Sequence, residues 1–293
     1  MEKDIQNLFI NIKFYKKFLN YENIVLIAPS NTQPKYMKDK SILFIPEDSL
    51  IQKRKINEFL RKMKSITTIR DGWYEQQFLK MAYSRICKNE YYLLWDSDTI
   101  PIKNIQMFEN GRPFFDMKTE HHKPYFELIN RLMEGLKFAN RSYISEHMMI
   151  KTEFMKNLLS EIEMNSKLKG KSFWEKILFA INIKHINKSG FSEFETYGSY
   201  VDTRYPDFYV RRIWQSKRDA KAFYGSPINL NEIDINWLSQ DYQALTFEKR
   251  HSFKKEIYII CKNSDLHKLF KPSIFFKKYK YIFKMYRKYK KRK

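Results

Sequence analysis

Ile5, Leu8, Phe9, Ile12 and Tyr15 recur at three- and four-residue spacing, which predicts an amphipathic helix over residues 4–19. The period then changes. Residues 23–28 and 41–45 are short apolar runs of β-forming residues, each closed by a proline, and such runs suit parallel strands buried on both faces of an α/β sheet. Residues 56–63 predict a short basic helix, and Asp71 is placed to cap the next one, in which Trp73, Phe78, Met81 and Ala82 lie on roughly one side as far as Cys87. Tyr91–Trp95 follows as a buried strand. Asp96-Ser97-Asp98 comes directly after it, and Thr99-Ile100-Pro101 then supplies a proline that is expected to end the strand.

Further along, residues 114–117 and 148–150 predict strands, and residues 124–138, 153–162 and 173–183 predict helices, the last capped near Ser172. Residues 191–200 read as helix after the turn at Ser189-Gly190. Periodicity weakens over residues 207–242, where only 208–210 reads as a strand. There is no internal repeat. The alternation of helix and strand in the first hundred residues suits a doubly wound, Rossmann-like sheet. At the other end, Phe275, Phe276, Tyr279, Ile282, Phe283 and Tyr286 form an aromatic stripe at helical spacing with lysines and arginines between them. A basic helix with an aromatic face is suited to the interface of an anionic membrane.

Charge sharpens that picture. The chain of 293 residues carries a formal net charge of +22. Twelve of its Lys and Arg residues, and no Asp or Glu, lie in residues 266–293, which leaves +10 on the rest. Seven glycines and nine prolines are too few for low-complexity disorder or for a turn-rich sandwich or barrel. Cys87 and Cys261 are far apart and belong to no CxxC pair, so a zinc ribbon and a disulfide framework are excluded and a reducing cytoplasm is expected. No uncharged run of 18 residues occurs in the sequence, so no membrane span is expected, and Met1-Glu2-Lys3-Asp4 does not read as the start of a signal peptide.

The candidate chemistry centres on Asp96-Ser97-Asp98. Two carboxylates one residue apart at a strand end can bring one oxygen ligand to a divalent cation directly and the other through water or a sugar hydroxyl. The alternative is a solvated turn whose carboxylates cap a neighbouring helix. Upstream, Gln76, Gln77 and Lys80 fall on adjacent faces of the helix that begins near Gly72, within reach of a nucleotide or a sugar hydroxyl at its N-terminus, unless Trp73 and Phe78 are core and the glutamines solvated.

Four ordered stretches carry a resemblance. Arg70-Asp71-Gly72-Trp73-Tyr74-Glu75-Gln76-Gln77-Phe78-Leu79-Lys80-Met81, Tyr92-Leu93-Leu94-Trp95-Asp96-Ser97-Asp98-Thr99, Ser145-Glu146-His147-Met148-Met149 and Ser192-Glu193-Phe194-Glu195-Thr196-Tyr197-Gly198 resemble a poorly characterised group of bacterial GT-A-type glycosyltransferases found in surface-polysaccharide gene clusters. The resemblance spans roughly residues 3–255. It implies a GT-A catalytic domain over residues 1–258, with a nucleotide-sugar half (about 1–118) and an acceptor half (119–258); the basic aromatic tail over 266–293, read from its own pattern, is expected to associate with a membrane. The resemblance also implies Mn²⁺ or Mg²⁺ on the diphosphate of a nucleotide-sugar donor, with Asp98 as direct ligand, Asp96 meeting ribose or sugar, and His251 as a late ligand. Trp73, Gln76, Gln77 and Lys80 would line the donor.

An inverting transfer needs a group to take the acceptor hydroxyl's proton, and Glu193 or Glu195 is expected to be that base or an acceptor ligand. Being two apart on a helix, they diverge. Glu146, His147 and Tyr197 are expected on the acceptor side. Members of the group usually begin with an apolar strand ending in Lys-Asp. Met1-Glu2-Lys3-Asp4 matches only its end, so either the chain lacks this first strand of the GT-A sheet or, as expected here, the true start lies upstream.

The reading that follows is a glycosyltransferase of lipopolysaccharide or capsule synthesis, peripheral at the inner face of the cytoplasmic membrane, acting on a glycan or lipid-linked acceptor. Two others stand beside it. A nucleic-acid-binding basic protein accounts for the tail but leaves the aspartates unused, and a nucleotidyltransferase on a related sheet lacks its usual Gly-rich basic loop.

Overall fold

The computed structural model of the protein describes residues 2–35, 41–62, 71–136, 138, 140–279 and 281. Its fold is mixed α/β. In chain order the first elements are helix α1 (Glu2–Phe18), strands β1 (Ile24–Ala28) and β2 (Ile42–Pro46), and helices α2 (Glu47–Leu50), α3 (Lys53–Lys62) and α4 (Asp71–Ala82). Next come strands β3 (Tyr91–Trp95), β4 (Thr99–Pro101), β5 (Phe108–Glu109) and β6 (Arg112–Met117), helix α5 (Lys123–Leu132), and strand β7 (His147–Lys151). Helices α6 (Thr152–Met164), α7 (Phe173–Ala180) and α8 (Glu193–Arg204) precede strands β8 (Val210–Ile213) and β9 (Ser216–Lys217). The last elements are α9 (Ala220–Tyr224), α10 (Glu232–Leu238), β10 (Ala244–Thr246), α11 (Lys255–Cys261) and α12 (Ser264–Leu269), and residues 272–279 are also helical. The helix end expected at Met63 lies outside the described residues.

Several boundaries depart from the periodic pattern for local reasons. Helix α5 stops at Leu132 rather than 138 because Met133 is extended and Gly135 takes a left-handed φ of 77°. Helix α4 begins at Asp71 itself and gives way after Ala82 to a 3₁₀ turn at Tyr83–Arg85. Ser172 does cap α7, in a reciprocal capping box with Glu175. Pro101 does not end the sheet structure. It lies in β4, the outer strand of the order β4-β10-β9, where a missing N–H costs no ladder bond.

The chain is shared between two compact units that interleave along it. One comprises Met1–Asn20, Trp95–Gln106 and Trp214–Lys293, and the other Tyr21–Leu94 and Met107–Ile213. Neither coincides with the consecutive halves 1–118 and 119–258. The boundary at Leu94 and Trp95 puts Asp96-Ser97-Asp98 in the first unit and the SEFETYG segment in the second.

In the second unit β1 and β2 are parallel, as the sequence predicts. They are only partly buried, however, and Leu43 is 49% exposed, because this ladder has just two strands among the described residues. β3 pairs with β7, and β6 joins β5 antiparallel and β8 parallel. The strands thus form small ladders rather than one continuous doubly wound sheet among the described residues. The core gathers Tyr74, Phe78, Phe115, Tyr143, Phe173 and Phe191. Gly198 on α8 lies against the Tyr143 ring so closely that a Cβ there would meet Cγ at 2.2 Å.

The first unit packs Phe14, Ile100, Trp237, Leu245, Phe275 and Phe276 into a second core. This corrects the reading of the tail. Phe275 is 0% and Phe276 8% exposed, with ring centroids 5.4 Å from Trp237 and 4.6 Å from Phe223 respectively, and Tyr279 packs on the same core. The first three aromatics of the stripe therefore face protein. Ile282, Phe283 and Tyr286 lie outside the described residues. No helix among the described residues is long and apolar enough to cross a membrane.

Candidate functional site

In the first unit, the turn after β3 is pinned through its backbone. Thr99 N–H closes it by donating to Asp96 O at 2.9 Å, Asn11 Nδ2 donates to Ser97 O at 2.7 Å, and Phe247 N–H donates to Asp98 O at 2.8 Å. Just past it, Thr99 O accepts from Trp95 Nε1 at 2.8 Å and from Tyr15 Oη at 3.0 Å. Thr99 Oγ1 and Thr246 Oγ1 join across the β4–β10 pair at 2.8 Å. With its carbonyls held this way, the turn presents Asp96 and Asp98 half-buried on either side of an exposed Ser97. Burial holds the Tyr15 hydroxyl far above its ordinary pKa, and the charges of Asp98 and Asp96 add to the effect.

Two carboxylates on a fixed turn are hard oxygen donors. Mg²⁺-like cations are commonly held by one or two carboxylates, with water and phosphate oxygens in the remaining positions. Among the described residues no three His, Cys, Asp or Glu side chains are grouped to hold a metal by themselves. The donor set fits a cation that arrives with a diphosphate. His251 Nε2 lies 3.4 Å from Glu248 Oε2, a carboxylate that Arg250 and Arg218 also meet.

In the second unit, Ser192 caps α8 by accepting from Glu195 N–H at 3.3 Å. Glu193 and Glu195 then sit in the first turn, where the helix dipole favours negative charge. They diverge as their spacing predicts. Glu193 takes Lys80 Nζ on Oε1 at 2.8 Å, and its backbone N–H donates to Gln77 Oε1 at 3.1 Å. Gln77 Nε2 in turn donates to Trp73 O within α4 at 3.2 Å, which orients the amide so that its oxygen ties α4 to α8. Gln76 is exposed, and Trp73 is half-buried with its ring 4.9 Å from Tyr74, edge to face.

Glu195 goes the other way. Its Oε1 accepts from Ser142 Oγ, while its buried Oε2 has no hydrogen-bond partner. Burial pushes its carboxyl up to about 7, against the lowering effect of the hydrogen bonds from Ser142 and from Tyr143 N–H. Tyr125 lies close by, its hydroxyl pKa raised by burial and by Glu193, Glu120 and Glu195.

Glu146, His147 and Tyr197 are not surface groups. The β6–β8 register sets Asp116 opposite Arg212, whose Nε and Nη2 grip its carboxylate at 2.6 and 2.7 Å. His147 Nε2 completes the cluster at 2.8 Å from Asp116 Oδ2, with Nδ1 2.9 Å from Ser145 O. Burial works to raise the Asp116 carboxyl, but hydrogen bonds from Arg212 and His147 outweigh it and hold it below the usual range. Glu146 has a left-handed φ of 63°, which turns two successive side chains toward one side. Glu146 thereby pairs with Lys118 while His147 meets Asp116, two residues earlier on the same strand face.

Glu146 and His147 are 2% and 1% exposed, and Tyr197 is 0% exposed with its hydroxyl 2.8 Å from that of Tyr209. Within the unit Glu146 pairs with Lys118, His147 with Asp116 and Ser145 O, and the Tyr197 hydroxyl also accepts from Lys151 N–H at 2.9 Å. The partners Asp116, Lys118, Ser142 and Arg212 escape periodicity reasoning, since each is named only by tertiary contact. One signal was available: Asp116 is an acid inside the apolar run Pro113-Phe114-Phe115-Asp116-Met117, and such a charge requires counter-ions.

A family model described as a family of unknown function (DUF6492) matches residues 5–282. Among curated proteins none matches the chain.

Proposed function

The chain belongs to the DUF6492 family of unknown function, and from that premise we propose that it is a metal-dependent glycosyltransferase of the GT-A type. It moves a sugar from a nucleotide-sugar donor to a glycan or lipid-linked acceptor of the bacterial cell surface. The observation that carries the reading is the Asp96-Ser97-Asp98 turn: two half-exposed carboxylates directly after an apolar strand, on a backbone locked by Asn11, Thr99 and Phe247. The parallel β1–β2 pair and the helix-strand alternation around it are compatible with a GT-A sheet.

Asp98 is assigned as the direct ligand of Mn²⁺ or Mg²⁺, and Asp96 as the group that meets ribose or sugar. When bound, the cation would neutralise charge gathering on the departing nucleotide diphosphate. Locking the turn backbone keeps the carboxylates from reorganising as that charge develops.

Glu193 is assigned as the proton acceptor. Its side chain is 6% exposed and paired with Lys80 at 2.8 Å, whereas Glu195 has a buried Oε2 without a hydrogen-bond partner and a carboxyl raised by burial to about 7. The packing of Phe275 and Phe276 leaves peripheral membrane association to the basic residues of the tail, each contributing on the order of 1 kcal/mol at an anionic surface.

The test is a panel of nucleotide sugars with and without Mn²⁺, read by release of the nucleoside diphosphate. Release of one nucleotide by wild type in the presence of Mn²⁺ and its loss on chelation is the expected result. No release from any donor, with the acceptor fraction of a polysaccharide-producing bacterium added, would refute the reading.

A further inference from the structure

Three segments of the first unit enclose a cleft of about 300 Å³. Helix α1 ends at Phe18, whose carbonyl accepts from Ile105 N–H at 3.2 Å, and this lays residues 102–105 along the end of that helix. The third segment is α10. It sends Trp237 and Leu238 into the core, which leaves Ile235 half-buried and Asn236 exposed on its other sides. Lys103 Nζ fastens the segments together by donating to Ser239 O, at the C-terminal end of α10, at 3.0 Å.

The lining is apolar and amide-rich. Ile102 is buried and Phe18 and Ile235 are half-buried, whereas Asn104 and Asn236 are exposed. Each amide offers two N–H donors and one acceptor oxygen, and neither side chain has a hydrogen-bond partner among the described residues. The charges, by contrast, are answered in place. Lys17 Nζ lies 3.8 Å from Glu232 Oε1 and 5.3 Å from the Phe18 ring centroid, and Lys103 is held by the Ser239 carbonyl. The lining therefore does not call for an ionic ligand.

A ligand that suits such a lining is neutral, polyhydroxylated and apolar on one face. A sugar ring has that character: its C–H groups can lie on aromatic and aliphatic carbon, while its hydroxyls accept from amide or lysine N–H and donate to amide or carboxylate oxygen. The volume is at the lower end of the range of about 300–1,000 Å³ for small-molecule sites, which suits a sugar ring rather than a whole nucleotide sugar. Strand β4 also sets the cleft apart from the aspartate turn. Asp96-Ser97-Asp98 precedes Thr99–Pro101 and residues 102–104 follow it, so the two lie at opposite ends of that strand.

We propose that this cleft is a saccharide-binding site separate from the Asp96-Ser97-Asp98 turn, in which Phe18 and Ile235 take the apolar face of a sugar ring and Asn104, Asn236 and Glu232 take its hydroxyls. Its use, to hold a glycan chain while the chain is extended elsewhere, rests on the glycosyltransferase reading, whereas the site itself rests on the lining above.

Saturation-transfer NMR on the full chain, without nucleotide or metal, separates the two. The probes are short oligosaccharides of glucose, galactose, mannose and N-acetylglucosamine, with leucine as a zwitterionic alternative. Wild type is expected to bind at least one of the oligosaccharides. The double variant Asn104→Ala/Asn236→Ala, altered at two exposed positions, is expected to lose about tenfold in affinity at an unchanged denaturation midpoint. Lys268→Gln, which alters an exposed lysine paired with Asp265, is expected to bind as wild type. Binding of no oligosaccharide, binding of leucine alone, or equal affinity in wild type and the double variant overturns the site. Asparagine-dependent oligosaccharide binding without turnover of any nucleotide sugar upholds the site and removes the glycosyltransferase reading. Turnover by wild type with unchanged oligosaccharide affinity in the double variant upholds the reading and removes the site.

Discussion

Glu195 carries a pH dependence built into the fold. Its native carboxyl is raised by burial from 4.5 to about 7, so the folded state binds this proton more tightly than the unfolded chain does. The stabilising contribution is therefore fully present below about pH 4.5 and is lost as the pH rises through about 7. The full swing corresponds to about 3 kcal/mol. Glu195→Gln keeps an acceptor for Ser142 and cannot ionise. Urea denaturation from pH 5 to 8 should show wild type losing stability relative to this variant, and parallel pH profiles would contradict the account of the carboxyl. Gly198 gives a second test at the same scale. A Cβ placed 2.2 Å from the Tyr143 ring must displace it, so Gly198→Ala is expected to cost about 3 kcal/mol in the same assay.

At the scale of elements, the sequence was most legible where one face of a long helix packs or a cap has its own signature. α1, α6 and α7 with its Ser172 cap follow directly from spacing. Short elements between residues 207 and 242 are less visible, since five residues in α9 or seven in α10 span too few turns for a period to emerge. The Asn231–Asp234 capping box at α10 was nonetheless written there. The aromatic stripe shows the opposite failure: helical spacing marks an apolar face but not what covers it, and here Trp237 and Phe223 cover Phe275 and Phe276. Phe275→Ala should destabilise the protein by about 3–5 kcal/mol, as expected for an emptied core site. An unchanged denaturation midpoint, with weakened vesicle binding, would return that residue to the membrane face.

The site divides along similar lines. Asp96-Ser97-Asp98 could be read from local sequence because a strand end followed by two acids is a local arrangement. The pairings of Glu193 with Lys80, Glu195 with Ser142, and Asp116 with Arg212 and His147 join residues distant in sequence, which no periodicity reports. His147 is the sharpest case. Removing it leaves the buried Asp116 carboxylate one partner short, and His147→Ala is expected to cost about 3 kcal/mol in stability. A variant as stable as wild type would show that Arg212 alone satisfies that charge.

Across the whole molecule, two compact units interleave along the chain, so Asp96-Ser97-Asp98 belongs to one and Glu193 and Glu195 to the other. The net charge of +22 is likewise divided, with more than half of it carried after residue 265. The account's central claim is that Asp98 serves metal-dependent transfer from a nucleotide sugar. The direct measurement is the Mn²⁺-dependent turnover of the nucleotide sugar that wild type selects, compared between wild type and Asp98→Asn, with denaturation midpoints recorded for both. The account predicts a fall of at least about 100-fold, or about 2.7 kcal/mol in the barrier, at unchanged stability. Equal turnover by the two proteins would contradict it.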